Sequence, residues 1–397
     1  VLLTNIISNP NAGTVLPYAH FWKGEIAYRQ MRYEEAIRNL NVFAESGASA
    51  QGEANRTAAN YNLAYSWLQK ENFAQAKTYF DKVTTSVNAN ASAMEQDAYL
   101  RAADSRFMLK EYAAATNMYN QIIQYQLPQA DYAAYQKAMI TGIKSGTEKI
   151  AALNNLQKNY PQSNLLQEVN MEIAQAYIAD EKFAAAIPYL NKVLVSGQAD
   201  GLKPKAYLKL GLSYYNDNNN KEALVNYETL INKYPQSAEA DEAIDIVKNI
   251  YVEEGRPNAY VELMQKNGIS ISVNEADSLT YISAELKYKD DNCSAALNGF
   301  ANYLSKYPQG RFVIDAQYNS AVCLQKNKDF KAALDYYASV SNRGLSKYYE
   351  NATLEAARIN YFELQDYAQA KKYFSLLRAN AVNQNNLLEA LRGLVRS

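Results

Sequence analysis

Apolar and polar positions along this chain follow one recurring pattern. An aromatic residue is followed three positions on by alanine and four further by a bulky apolar residue. It reads Tyr33/Ala36/Leu40, Phe73/Ala76/Phe80, Tyr112/Ala115/Tyr119, Phe183/Ala186/Leu190, Phe330/Ala333/Tyr337 and Tyr367/Ala370/Phe374, with Asn220/Ala223/Tyr227 and Cys293/Ala296/Phe300 as variants. Steps of three and four put all three residues on one face of a helix. The marker alanine recurs about every 37 residues, and the spacing places Lys149 and Tyr260 in the same role. A second apolar stripe precedes each marker. A period of this length with two helical stripes predicts stacked helical hairpins, each burying its apolar face against its neighbours.

The stretch Pro204 to Pro235 is the clearest copy. Tyr207, Leu210, Gly211 and Tyr214 form the stripe of its first helix, and Asn216 to Asn220 is a polar turn. Ala223, Tyr227 and Leu230 face inward on the second helix, which Pro235 ends. Small Gly211 and Ala223 are expected to let the helices approach, while Tyr214, Tyr227 and Leu230 fill the space between hairpins. The same layout is expected for Leu63/Ala64/Trp67, Ile173/Ala174/Tyr177 and Ala357/Arg358/Tyr361.

Two insertions, residues 47–57 and 84–94, are rich in small and polar residues and read as mobile loops. The hairpin around Gly255, Pro257 and Tyr260 departs furthest from the pattern, and the following Asn267 to Asp277 alternates like a strand. The expected organisation is therefore repeats 1–7 over residues 1–266, a linker or bend over 267–277, and repeats 8–10 over 278–397. Leu387 to Ser397 reads as the first helix of a truncated further repeat, so a fragment of a longer chain is expected.

Charge and chemistry narrow the function. The chain has 40 basic and 41 acidic residues, which gives no cationic footprint for a phosphate backbone. Nucleic acid is not an expected partner. No apolar run approaches the roughly 20 residues of a membrane helix, and the first residues lack the pattern of a secretory leader. Cys293 and Cys323 read as two separate core thiols, although hairpin geometry leaves a bridge open. His20 is the one histidine and reads as a helix-surface or packing residue rather than a catalyst, and no second histidine is present to build a Ser/His/Asp relay or a multi-histidine metal site. Neither GxxxxGK nor GxGxxG occurs. The pairs Glu34-Glu35, Glu253-Glu254 and Asp290-Asp291 fall at helix ends, where the helix dipole and solvent account for them. No enzyme activity, cofactor or metal is expected.

Spacing and residue types together resemble the tetratricopeptide repeat (TPR). Its pattern is met in the clearest copy by Tyr207, Leu210, Gly211, Tyr214, Ala223, Tyr227 and Pro235, with Leu230 in place of a late alanine. Tyr160-Pro161-Gln162-Ser163, Tyr234-Pro235-Gln236-Ser237 and Tyr307-Pro308-Gln309-Gly310 are similar to endings in the bacterial envelope branch. That branch includes the TPR lipoprotein of the β-barrel assembly machine and the Tol-Pal coordinator. Tyr- and Asn-rich composition also resembles the long multi-repeat TPR proteins of Bacteroidetes.

The resemblance implies an all-α fold, a right-handed α-solenoid of about ten TPR-like hairpins. It implies a non-enzymatic scaffold for protein or peptide partners, periplasmic or outer-membrane-associated, with the cytoplasm as the alternative. The alternative function is a substrate-recognition or regulatory arm of a larger enzyme or assembly. TPR first helices line a concave face, and carrying their contact positions over gives a candidate aromatic groove. It comprises Phe21, Tyr28, Tyr61, Tyr65, Phe107, Tyr215, Tyr281, Tyr288, Tyr318 and Phe362.

Overall fold

The computed structural model describes residues 1–195, 197 and 200–397. These residues form two compact units, Val1–Ala206 and Tyr207–Ser397. In the first, a short α1 (Leu2–Ile7) precedes five hairpins: α2 (Leu16–Arg29) with α3 (Tyr33–Glu45), α4 (Arg56–Gln69) with α5 (Phe73–Val83), α6 (Ala93–Met108) with α7 (Tyr112–Gln124), α8 (Ala130–Gly142) with α9 (Gly146–Asn159), and α10 (Leu166–Ala179) with α11 (Phe183–Val195). The division falls within α12 (Lys203–Asn216), which leads into α13 (Asn220–Lys233). The second unit continues with α14 (Ala238–Glu253) and α15 (Pro257–Lys266), α16 (Val273–Lys289) and α17 (Cys293–Lys306), and α18 (Val313–Lys326) and α19 (Phe330–Asn342). Then follow α20 (Tyr349–Arg358), a π-helical turn (Ile359–Glu363), α21 (Tyr367–Asn380) and α22 (Gln384–Arg396). The fold is an all-α solenoid of helical hairpins. None of the described helices is long and apolar enough to cross a membrane.

The alanine spacing marks the packing seam. Ala36, Ala76, Ala115, Ala186, Ala223, Ala296, Ala333 and Ala370 are all 0 % exposed. Opposite them the first helix carries a small residue, and what fits against it is a side chain: a Cβ on Gly24 would come within 2.6 Å of Leu40 Cγ. At Gly211 the added atom would meet the Tyr227 ring, so that glycine makes room for a ring inside its own hairpin.

The degenerate markers have local explanations. Lys149 occupies the alanine position because Gly142 lies opposite, where a Cβ would be 2.6 Å from the lysine Cδ, and its ammonium reaches Glu172 at 2.5 Å. Tyr260 is buried in the alanine position of the shortest second helix of the unit. At the start of that helix a cleft of about 390 Å³ stays open among Gly255, Pro257, Ser283, Ala284 and Gly299.

Several expectations need correction. The layout proposed for Ala357/Arg358/Tyr361 is one residue out of register, because the π-helical turn inserts a residue between Ala357 and Tyr367. Ala357 therefore takes the small-residue position, and Arg358 turns outward to Glu355 and Glu389. The insertions are tied down: Ala54 and Val87 are buried, Tyr18 donates to the Ser49 carbonyl at 2.9 Å, and Asn55 caps α4. The segment 267–272 connects two helices through a turn at Gly268, and its alternation reflects Ile269 and Ile271 packing inward. It forms no strand, and Ser272 caps α16 by accepting from the Glu275 amide at 3.1 Å. Cys293 and Cys323 are not separate thiols. They form a disulfide with Cα atoms 5.2 Å apart, joining the start of α17 to α18.

Nearly every hairpin turns through a residue with positive φ two positions before the second helix. These are Met31, Glu71, Lys110, Glu181, Asn218, Gly255, Asp291, Lys328 and Gln365. The amide of the next residue then closes on the first helix, as Arg32 does on the Ala27 carbonyl at 2.8 Å.

Candidate functional site

The first helices of the first unit carry a cavity of about 500 Å³. Phe21, Trp22, Glu25 and Arg29 line it from α2, and Ala58, Tyr61 and Asn62 from α4. Met94 closes it from the start of α6, and Gly52, Glu53 and Asn55 of the first insertion form its remaining wall. The residues on either side of a simple helix-to-helix groove are thus supplemented by both insertions. Trp22 and Met94 are 38 % and 37 % exposed, large apolar side chains left partly in solvent at the mouth. Glu25 accepts from Arg29 Nε at 2.7 Å and also holds the Asn62 amide.

Beyond Tyr61 the floor is polar and connected. Tyr61 and Tyr65 both donate to Asp97 Oδ2, at 2.7 and 2.5 Å. Arg101 reaches Asp104 at 2.8 Å and Asp97 at 3.5 Å, and Tyr119 donates to the other Asp104 oxygen at 2.8 Å. Burial raises the pKa of Asp104 against the lowering by Tyr119 and Arg101. Burial and the hydrogen bond to Asp97 push the Tyr65 phenol up to about 12, so it stays a donor at neutral pH. Tyr132, under the Arg101 guanidinium, is likewise pushed up to about 12 by burial and then Asp104.

In the second unit the corresponding surface is built from stacked rings. Tyr281 on α16 stacks on Phe312 with centroids 4.5 Å apart, and Tyr318 on α18 stacks on Tyr348 at 4.2 Å. A cavity of about 510 Å³ lies beside Tyr318, with Val322, Gln325, Tyr337, Leu354 and Glu355 among its walls. Gln325 accepts from Tyr337 at 2.6 Å and donates to Glu355 at 2.8 Å.

The expected groove residues therefore divide. Tyr281 is buried and spends its ring on packing, while Phe21, also buried, packs on Phe43 at 5.0 Å beneath the cavity it helps line. Tyr28, Tyr61 and Tyr65 are half-buried and contiguous, with Tyr28 6.5 Å and Tyr61 5.0 Å from Tyr65. Phe107 meets Tyr112 edge-on at 5.9 Å, Tyr215 packs on the core of its unit, and Tyr288 lies 6.3 Å from Phe300. Tyr318 borders a cavity, while Phe362 is 59 % exposed beside Tyr361. Sequence reading missed Trp22, Met94, Glu53 and the Asp97, Arg101, Asp104 series. The last was visible as charges four and three residues apart on one helix face. His20 is half-buried, its Nδ1 2.9 Å from Asn39 Oδ1.

Comparison with known proteins gives the repeat its family. A family model for the tetratricopeptide repeat matches residues 97–126, 205–237 and 315–343. No curated protein sequence matches. Among solved structures, the Naa15/Naa10 complex bound to HypK-THB aligns over 96 % of this chain and 66 % of that chain, at 14 % identity and a TM-score of 0.39. A tetratricopeptide repeat protein from Parabacteroides merdae aligns over 68 % of this chain and all of its own, at 13 % identity and a TM-score of 0.31. YrrB, described as a TPR protein with an unusual peptide-binding site, aligns over 62 % of this chain and 98 % of its own, at 16 % identity and a TM-score of 0.30.

Proposed function

We propose that this tetratricopeptide repeat protein is a non-enzymatic scaffold that seats an extended or helical segment of a partner protein in the cavity between α2 and α4. TPR proteins in general serve as protein-interaction scaffolds. The observation that carries the finer reading is the Trp22 and Met94 pair at the mouth of a cavity of about 500 Å³, with Arg29 and Glu53 beside it. A partly exposed indole offers contact area with little ordering cost, a thioether adapts its shape to what it meets, and flanking charges fix register. A large apolar side chain of the partner fills the pocket, with polar neighbours reaching Arg29 and Glu53. A location outside the cytosol, in a bacterial cell envelope, is part of the proposal. Its support is the Cys293–Cys323 disulfide, since such bonds persist in oxidising compartments.

The chain holds two tryptophans, which provides the test. In a Trp67→Phe background, excitation at the red edge of the band, where the tyrosines do not absorb, gives emission from Trp22 alone. Peptides selected from a random display library on this protein should shift Trp22 emission, and Met94→Glu should abolish both the shift and the binding. Selected peptides that bind Met94→Glu equally well and leave Trp22 unmoved would overturn the site.

A further inference from the structure

We infer that the aromatic face of the second unit is set by the redox state of the chain, through the Cys293–Cys323 bond, while the first unit is indifferent to it. Cys293 stands where most hairpins open their second helix with a ring. In three of those hairpins the ring meets a ring at the end of its own first helix: Tyr33 on Tyr28 at 6.4 Å, Tyr112 on Phe107 at 5.9 Å and Tyr367 on Tyr361 at 5.3 Å. Cys293 has no ring to turn back. Its side chain points forward and is bonded to Cys323 on the first helix of the next hairpin.

The joint between α17 and α18 is thereby fastened at both ends of α18. At one end Phe312 stacks on Tyr281, and the Phe312 amide donates to Tyr303 Oη at 2.9 Å. At the other the disulfide crosses the joint, seconded by the exposed Lys326 and Asp291 ion pair at 2.6 Å. An exposed pair holds little by itself, so the covalent bond dominates that end. Tyr318 lies between the two fastenings and stacks on Tyr348, so the position of α18 fixes both ring stacks. Both cysteines lie in the second unit, and none occurs in the first.

The bond forms by exchange with a disulfide-bearing oxidant. One cysteine thiolate attacks the oxidant, and the other displaces it, so that the chain loses two electrons and two protons and the oxidant leaves as a dithiol. A dithiol reductant runs the steps in reverse. Cys323 is 0 % and Cys293 9 % exposed, so attack comes at Cys293, from the solvent-exposed turn Asp290 to Asn292.

The test is hydrogen exchange of the whole 397-residue chain, oxidised and after complete reduction with dithiothreitol. Closing a loop with a sequence separation of 30 is worth on the order of a hundredfold in an opening equilibrium. Amides of α17 and α18 should therefore exchange about a hundredfold faster when reduced, with those of α2 to α5 unchanged. A Cys293→Ala/Cys323→Ala chain should show the fast pattern without reductant and no response to it. Should that variant fold poorly, the reduced wild-type chain gives the same reading, with α2 to α5 as its internal reference. Unchanged exchange in α17 and α18 on reduction, an equal rise in both units, or two titratable thiols in unreduced denatured protein would each overturn the inference. None of these readouts involves a partner, so the result is independent of the proposed binding site.

Discussion

The two units use the same hairpin to build different inner surfaces. In the first, charge and hydroxyl groups tie one first helix to the next, with Asp97 held by Tyr61 and Tyr65, and Arg101 placed between Asp97 and Asp104. In the second, ring faces do the tying, with Tyr281 on Phe312 and Tyr318 on Tyr348. Two of those four rings, Phe312 and Tyr348, come from the residue just before a first helix. A repeat fold fixes the seam around its alanines and leaves the inner face free to vary. Half-buried charges are directional and tolerate little loss, whereas ring stacks are replaceable by other apolar contacts.

The largest expected difference follows from that asymmetry. Arg101→Met leaves Asp104 mostly buried with the Tyr119 hydroxyl but no cation beside it, and should destabilise the first unit by roughly 3 kcal/mol, read as a lower urea midpoint. Arg101→Met/Asp104→Asn should recover part of the loss. If the single variant melts like wild type, the network is not a fastening. Inside the second unit, Ala223→Leu overfills a seam position that is 0 % exposed and should cost about 1 to 3 kcal/mol. Tyr318→Leu keeps apolar volume but removes one stack, at a cost of about 1 kcal/mol by the same urea titration. A loss equal to that of Arg101→Met would erase the distinction between the two surfaces.

A fourth substitution should stabilise. Lys110 sits at φ 61°, a conformation that costs a residue with a Cβ about 1 kcal/mol. Lys110→Gly should raise stability by somewhat less than that, because glycine also gains freedom when unfolded. Thermal melting reads the sign directly.

How much of this was legible in the sequence depends on periodicity. The hairpins and their seam follow from the alanine spacing, since one helical face repeats wherever the chain repeats. The left-handed turn residues were hidden, because Met31, Glu71 and Lys110 are ordinary types whose backbone is set by the closing amide. The π-helical turn was hidden for a similar reason: an inserted residue in α20 is offset in the connection before it, and the marker spacing stays at 37. At the site, Tyr61 and Tyr65 could be read from helix periodicity. Trp22 and Met94 could not be singled out, because their exposure depends on how the first insertion folds back against α2 and α4. The disulfide also escaped, since two cysteines 30 residues apart fix no distance until the hairpins are stacked.

The smallest effect separates two carboxylates shifted in opposite directions. Asp104 is raised by burial, so whatever it contributes is present in acid and is lost as pH rises through its folded pKa. Glu350, at the start of α20, is the reverse case. The Asn386 side chain and then the Val382 amide, donating at 2.8 and 2.7 Å, hold it below the usual glutamate range. Its contribution is complete above that range and lost as pH falls through the lower folded value. Those donors lie at the entry to α22, so acidification should release that helix first. Amides of α22 should then exchange faster at low pH, while those of α6 beyond its first turn, which Glu95 caps and acid also loosens, keep their protection. Glu350→Gln should bring the fast exchange of α22 to neutral pH and remove its pH dependence. If α22 and the body of α6 loosen together on acidification, Glu350 is not the local clasp, and the acid response belongs to the fold as a whole.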